Sequence, residues 1–257
     1  MNISTDKSII KNNFSKSAGY YDKYCMIQDA CAAELIKRAK GKSPKNILDI
    51  GCGTGNYTKL LYDKFPRARI RAVDISDKMI EVARRKFPDE TIDFIVHDAQ
   101  VMFLKEKFDL ITSNAAFQWF SDFKSCLLRY KGMLLYNGMI LFSCFGPITF
   151  YELARALKKL DSENSLLPPE SFTKREELNK ALKRFFKKVN IEEKIFEEKN
   201  ESLVELLKKI KYTGTRGNGP KRGGFWTKGK MNRLEKIYKD DFNLKVTYQV
   251  FFCKGVK

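Results

Sequence analysis

The chain has 257 residues, of which 43% are hydrophobic, 31% charged and 13% aromatic, a length that fits one large domain or a domain carrying an insertion. That composition excludes a disordered chain, a collagen-like repeat and a disulfide-stapled miniprotein, and no apolar run approaches the roughly 18 residues of a membrane span. The formal net charge of +18 favours nucleic acid, an anionic membrane or an acidic protein as partner, unless it reflects a general lysine bias.

The excess is concentrated late in the chain, where residues 175–257 hold 22 Lys and Arg against 11 Asp and Glu. The six cysteines (Cys25, Cys31, Cys52, Cys126, Cys144 and Cys253) are scattered without a CxxC pair, and there is one histidine. No metal site is therefore expected. The polar first residues lack the apolar segment of a signal peptide, so a reduced, cytoplasmic protein is expected.

Residues 7–40 alternate polar and apolar at helical spacing, with 26–39 the clearest helix, ended near Gly41 and Pro44. NILDI at 46–50 reads as a buried strand, followed by a glycine-rich turn and a helix over 56–65. The alternation repeats as strand 68–75, helix 77–87, strands 92–98 and 108–114, a helix at about 121–135 and strand 138–145. This pace predicts an α/β fold with a mostly parallel sheet covered on both faces. After about residue 148 the pattern predicts helices over 149–160, 174–188 and 200–210. A basic, glycine-rich loop at 213–224, a helix over 227–239 and a terminal apolar strand complete the chain.

The sharpest chemical signal is Asp49-Ile50-Gly51-Cys52-Gly53-Thr54-Gly55, set between a strand and a helix. Glycines let a backbone turn tightly and approach a ligand. The spacing is G-x-G-x-G, not the G-x-G-x-x-G of a dinucleotide site. An acid at position 49 repels a pyrophosphate and suits the ammonium of an amino-acid-like cofactor. Asp74 ends the second strand, where it suits the two hydroxyls of a ribose. Asp98 ends the third strand; the Ala99 amide suits an adenine ring and Met79 its other face.

The segment Ser113-Asn114-Ala115-Ala116-Phe117-Gln118-Trp119-Phe120 leaves the fourth strand facing that cofactor. Asn114, Gln118 and Trp119 are thus candidates for the active-site wall, although Phe117 and Trp119 also read as core. Upstream, the segment from Phe14 to Asp22, with Gln28 beyond it, is suited to fold over the cofactor as a lid. Within it Tyr21 is either a packed hydroxyl or a hydrogen-bond donor to substrate.

With acids at successive strand ends around DIGCGTG, the chain resembles the class I S-adenosylmethionine-dependent methyltransferases. The resemblance implies a Rossmann-like, mostly parallel seven-stranded sheet with helices on both faces and a helical insertion over the active site. It also implies S-adenosylmethionine bound by Gln28, Asp49, Gly51, Gly53, Gly55, Asp74, Ile75, Met79, Asp98, Ala99 and Asn114, with no metal. FSKSAGYYDKYCMIQ, SNAAFQWFSD, LFSCFGPITFYEL, KIKYTGTRG and TYQVFFCKG extend the likeness over nearly the whole chain. In that ordered set the chain is similar to the malonyl-acyl-carrier-protein O-methyltransferases of biotin synthesis.

That family resemblance implies methyl transfer to the free carboxylate of a malonyl thioester on acyl carrier protein or coenzyme A, leaving S-adenosylhomocysteine. It implies one domain: a helical lid at 1–40, a cofactor core at 41–147, a mainly helical cover at 148–224, and a terminal helix and return strand at 225–257. A malonyl carboxylate is already ionised at neutral pH, so orientation matters more than proton removal. Tyr21, Gln118, Trp119 and Arg155 are the candidates to orient it, Arg155 lying one helical turn beyond Tyr151. Lys183, Arg184, Lys187, Lys188, Lys221 and Arg222 are expected to border an acidic carrier protein. SNAAFQW lacks the Asn-Pro-Pro-aromatic segment of nucleic-acid methyltransferases, so no nucleic-acid partner is expected; nor is a membrane partner, without a long apolar run. The competing readings are a trans-aconitate-type small-acid methyltransferase and a non-catalytic module binding a nucleoside cofactor and an acidic protein.

Overall fold

A computed structural model describes residues 6–40, 43–87, 92–160, 167–215 and 227–257. Helices α1 (Lys7–Ser17), α2 (Tyr21–Tyr24) and α3 (Met26–Arg38) precede β1 (Asn46–Ile50), α4 (Asn56–Lys64) and β2 (Arg69–Asp74). There follow α5 (Asp77–Lys86), β3 (Ile92–Val96), β4 (Phe108–Asn114), a 3-10 turn at Phe117–Trp119, α6 (Phe123–Met133) and β5 (Leu134–Phe145). The remainder is α7 (Tyr151–Leu160), α8 (Arg175–Phe185), β6 (Lys188–Lys199), α9 (Leu203–Tyr212), α10 (Lys228–Phe242) and β7 (Lys245–Val256).

The seven strands lie in the order β3-β2-β1-β4-β5-β7-β6. The first five pair in parallel, and β7 runs antiparallel between β5 and β6. Alternating side chains send Ile47 of β1 and Leu141 of β5 into one apolar layer, with Leu35, Leu61, Leu153, Leu206 and Leu234. Their neighbours Leu48, Ile140 and Phe142 enter the opposite layer, against Leu127 and Tyr130 of α6 and Leu182 of α8. The sheet is therefore buried on both faces, the mostly parallel α/β arrangement the strand spacing predicts. Side chains of Ser76, Asp122, Ser202 and Thr227 cap α5, α6, α9 and α10 by accepting from free amides of the first turn.

One element departs from the expected helical cover at 148–224. Alongside α7, α8 and α9, that segment contains the twelve-residue strand β6. Its sequence, KVNIEEKIFEEK, is rich in Glu and Lys, which are depleted in strands. At the sheet edge those charges face water and blunt further pairing, while Ile191 turns inward. The third strand also stops at Val96, which leaves Asp98 in the loop beyond it. The glycine-rich loop from 216 onward, with Lys221 and Arg222, and also Gly41, lie outside the described residues.

All six cysteines are free and buried. Among the described residues no helix is long and apolar enough to cross a membrane, and no cluster of metal ligands occurs.

A buried carboxylate fastens α7 to β7. Glu152 is 5% exposed and accepts from both the backbone amide of Thr247, at 2.9 Å, and its hydroxyl. Glu152→Ala leaves that amide buried without an acceptor. The expected loss is about 2–3 kcal/mol, read by urea unfolding, with partial recovery in Glu152→Gln.

Candidate active site

The loop after β1 turns through Gly51 at φ +68° and Gly53 at φ +55°, a left-handed region that side chains disfavour. The amides of Gly51 and Cys52 both donate to the Val73 carbonyl, at 2.7 and 3.1 Å, which ties the loop to β2. A Cβ on Gly51 would stand 2.4 Å from the Ala116 Cβ. The loops leaving β1 and β4 thus touch at this point. At Gly53 nothing lies within 4 Å of the Cβ position, and that side opens on a cleft. Gly55 is the N-cap residue of α4 and stands back from the cleft.

The cleft has about 730 Å³ of free space, part of it open to solvent, within the range of small-molecule sites. Gly51, Gly53, Asp74, Ile75, Met79, Asp98, Ala99 and Asn114 line it, as do Tyr21 and Trp119. The structure thereby brings together most of the expected cofactor residues. Asp74 accepts from the Gly53 amide at 2.9 Å and the Ser76 amide at 2.8 Å, and burial raises its carboxyl above the ordinary range. Asp98 accepts from the Gln100 amide and pairs with Lys7 Nζ, both at 2.9 Å. Burial, reinforced by nearby acids, holds the Tyr21 phenol well above its usual value, so it remains a protonated donor.

Asp49 corrects the expectation of direct contact with an ammonium group. It is fully buried beneath the loop and does not line the cleft. One oxygen accepts from the Thr58 hydroxyl at 2.7 Å; the other, Oδ1, has no partner among the described residues. Burial raises this carboxyl to about 7.

Gln28 is also absent from the cleft wall. It lines a second cavity of about 420 Å³ with Tyr24, Phe145, Phe150, Phe172, Lys209 and Tyr248. Trp119 is the wall common to both cavities. Its ring meets Phe14 and Phe172 edge-on, at centroid distances of 6.3 and 5.4 Å. Its indole nitrogen is buried without an acceptor among the described residues, and Gln28 Oε1 is buried without a donor. Lys209 does not supply a free cation here, because Glu198, Glu205 and Asn200 already hold its ammonium group.

Two of the expected substrate residues stand elsewhere. Gln118 lines neither cavity; its amide donates to the Ala115 carbonyl at 2.7 Å and secures the turn that carries Trp119. Arg155 is exposed and donates to the Tyr151 hydroxyl at 2.7 Å, because the buried face of α7 is the one bearing Glu152, Leu153 and Ala156. Lys183, Arg184, Lys187 and Lys188 sit on or beside α8, which packs into the layer opposite the second cavity. They do not border that cavity.

Several wall residues were not expected. Lys7, His97 and Gln100 join the cleft; of these His97, the sole histidine at a strand end, carried a readable signal. Phe145, Phe172 and Tyr248 look in sequence like ordinary core. Ala115 adopts φ +53° at the mouth of the cleft, a costly conformation for a residue with a side chain. Its amide donates to the carbonyl and hydroxyl of Ser143, which hold it there.

Two expectations follow from this geometry. Gly51→Ala forces the β1 and β4 loops apart, and calorimetry is expected to show at least tenfold weaker S-adenosylmethionine binding with the fold retained. The Asp49 carboxyl titrates near 7 when folded but near its ordinary 3.8 when unfolded. Between those values the unfolded chain has lost a proton that the folded chain retains, so this group makes stability fall as pH rises from about 4 to about 7. Asp49→Asn is expected to flatten that slope in urea titrations at pH 5 and 7.5.

Comparison with known proteins agrees with this arrangement. A family model described as a methyltransferase domain matches residues 48–142. Malonyl-acyl-carrier-protein O-methyltransferase 1 of Ilyobacter polytropus is 36% identical over 242 residues, covering 93% of this chain and 89% of the relative. The Acetivibrio thermocellus malonyl-acyl-carrier-protein O-methyltransferase is 34% identical over 273 residues, covering 98% and 94%. Among solved structures, a putative methyltransferase of Bacillus halodurans superposes with a TM-score of 0.60 at 18% identity, covering 89% of this chain and 99% of that one. A glycine loop and acid-lined cleft on this sheet, with relatives of that identity along almost the whole sequence, make the chain an S-adenosylmethionine-dependent methyltransferase that belongs to the malonyl-acyl-carrier-protein O-methyltransferase family.

Proposed function

We propose that this protein methylates the free carboxylate of a malonyl group presented on acyl carrier protein, with malonyl-coenzyme A as the lesser substrate. The observation that carries this reading is the meeting of two cavities at Trp119, whose buried indole N–H has no acceptor among the described residues. A buried donor left unpaired costs free energy, and a substrate carboxylate satisfies it.

S-adenosylmethionine supplies an electrophilic methyl group on a sulfonium. The chain's own residues fit such a ligand. Asp74 has lone pairs beyond those taken by two amides and suits the ribose hydroxyls. Asp98, Ala99, Ile75 and Met79 border the adenine end, and Gly53 leaves room for close backbone approach. Asp49 acts through the loop above it, as a buried negative charge that a bound cation favours. Asn114, in the wall of the cofactor cleft, is held in place: its amide donates to the Gln28 carbonyl at 2.9 Å while its oxygen accepts from Ser143 at 2.6 Å.

Trp119 and the protonated Tyr21 orient the malonyl carboxylate by hydrogen bonds rather than by a tight ion pair. That choice matters, because a carboxylate clamped by a cation is a poorer nucleophile. Transfer neutralises a negative and a positive charge, so the dry aromatic wall of Phe145, Phe150, Phe172 and Tyr248 favours it. Residues 6–40 serve as the lid over the cleft, and α9 with the turn before α7 shapes the acyl cavity. Six unpaired, buried cysteines support a reducing, cytoplasmic setting.

Methyl-labelled S-adenosylmethionine offered with malonyl-carrier protein, malonyl-coenzyme A, free malonate, trans-aconitate or RNA tests the reading. Base-labile label on malonyl-carrier protein is expected; preferential label on trans-aconitate or RNA overturns it. Trp119→Phe keeps the ring and removes the donor. It is expected to lower kcat/KM for malonyl-carrier protein tenfold or more, about 1.4 kcal/mol, with S-adenosylmethionine affinity within twofold. Equal loss of both would remove Trp119 from substrate orientation.

A further inference from the structure

The end of α1, the short helix α2 and the last turn of α9 converge beside the second cavity. Ser17 donates through its hydroxyl to the Lys211 carbonyl at 3.1 Å, which joins α1 to α9. Tyr212 stacks on Tyr24 at 4.8 Å with planes 20° apart, and lies 5.0 Å from Tyr20. Tyr20 is 56% exposed, whereas Tyr24 also walls the second cavity. The three rings therefore run without a break from solvent to the cavity. Clustered aromatic surface left in water marks a place that something covers.

Three unpaired cations stand around these rings. Lys23 lies over the Tyr24 ring and Lys211 over the Tyr212 ring, at 5.8 and 5.1 Å. Lys208 stands exposed one turn before Tyr212. None of these three lysines forms an ion pair with the described residues, while the acids of the same segments are engaged elsewhere. Asp22 pairs with Lys86 at 2.7 Å and accepts from Thr54. Asp29 accepts from Asn56 at 3.1 Å, and Glu205 pairs with Lys209 at 2.9 Å. The helices thus turn their carboxylates away and present ammonium groups around the aromatic opening.

We infer that the Tyr20, Tyr24 and Tyr212 cluster, with Lys23, Lys208 and Lys211, is the docking surface for an acidic acyl carrier protein; this rests on the function proposed above. The carrier covers the rings, and the lysines face its carboxylates and the phosphate of its pantetheine arm. The arm enters past Tyr24. Complementary charge of this kind acts on encounter and register more than on the chemical step.

The triple variant Lys23→Glu, Lys208→Glu, Lys211→Glu tests the surface. Kinetics are measured with malonyl-carrier protein and with malonyl-N-acetylcysteamine, which carries the same thioester without protein or phosphate. Expected is a tenfold or greater rise in KM for malonyl-carrier protein, with kcat within twofold. The small thioester is expected to react unchanged, and calorimetric S-adenosylmethionine affinity, within twofold, reports an intact fold. An unchanged KM for the carrier substrate overturns the docking surface, and so does an equal rise for both thioesters. Wild-type enzyme inert toward both thioesters overturns the reading of function itself, and the surface with it.

Discussion

The approach of Gly51 to Ala116 is the constraint on which the site depends. The two residues lie in the loops just after β1 and β4, neighbouring strands at which the winding of the sheet reverses. Because no side chain fits on Gly51, the loops close on one another and the cleft floor is backbone. The Trp119 amide then donates to the Ala116 carbonyl at 3.1 Å. One short turn therefore carries the contact at Gly51 to the indole that separates the two cavities. Phe14 from α1 and Phe172 from the cover hold that indole from opposite parts of the chain. The N-terminal helix, the turn after β4 and the segment after α7 all meet on a single ring.

That dependence explains what was legible in the residues and what was not. The first five strands and the glycine loop were readable because buried parallel strands are short apolar runs and because glycine spacing reports local backbone geometry. Asp74, Ile75 and Asp98 reach the cleft wall because strand ends in a doubly wound sheet share one edge, and Met79 reaches it from the first turn of α5. β6 was hidden by its charges, since an edge strand made of Glu and Lys has no strand signature. Asp49 was placed on the right strand end but one layer too close to the ligand: which way a strand-end side chain turns depends on Thr58 across the helix boundary. Arg155 and Gln118 failed for a related reason. Their residue types suit a carboxylate, but one faces solvent from the outer side of α7 and the other closes its own turn. The walls of the second cavity come from α2, α3, α9, β5, β7, the turn of Trp119 and the segment around Phe172 together, and no local pattern announces a surface assembled from so many separate segments.

Charge is distributed so that the two reactants of the proposed transfer are drawn to different places. The chain is strongly basic overall, at +18, yet Asp74 and Asp98 line the cofactor cleft and Asp49 lies buried under its loop. A local negative field inside a positive exterior favours a cationic cofactor in the cleft and repels a carboxylate from it. The second cavity has the opposite bias at its edge: free ammonium groups stand around an aromatic opening, while Lys209 in its wall is neutralised by two glutamates. Among the described wall residues an anionic thioester attracted to that edge meets no unpaired cation deeper in, and Trp119 offers it a hydrogen-bond donor. Steering thus acts at the surface, where it hastens encounter, and the interior is left to hydrogen bonds weak enough to preserve a reactive carboxylate.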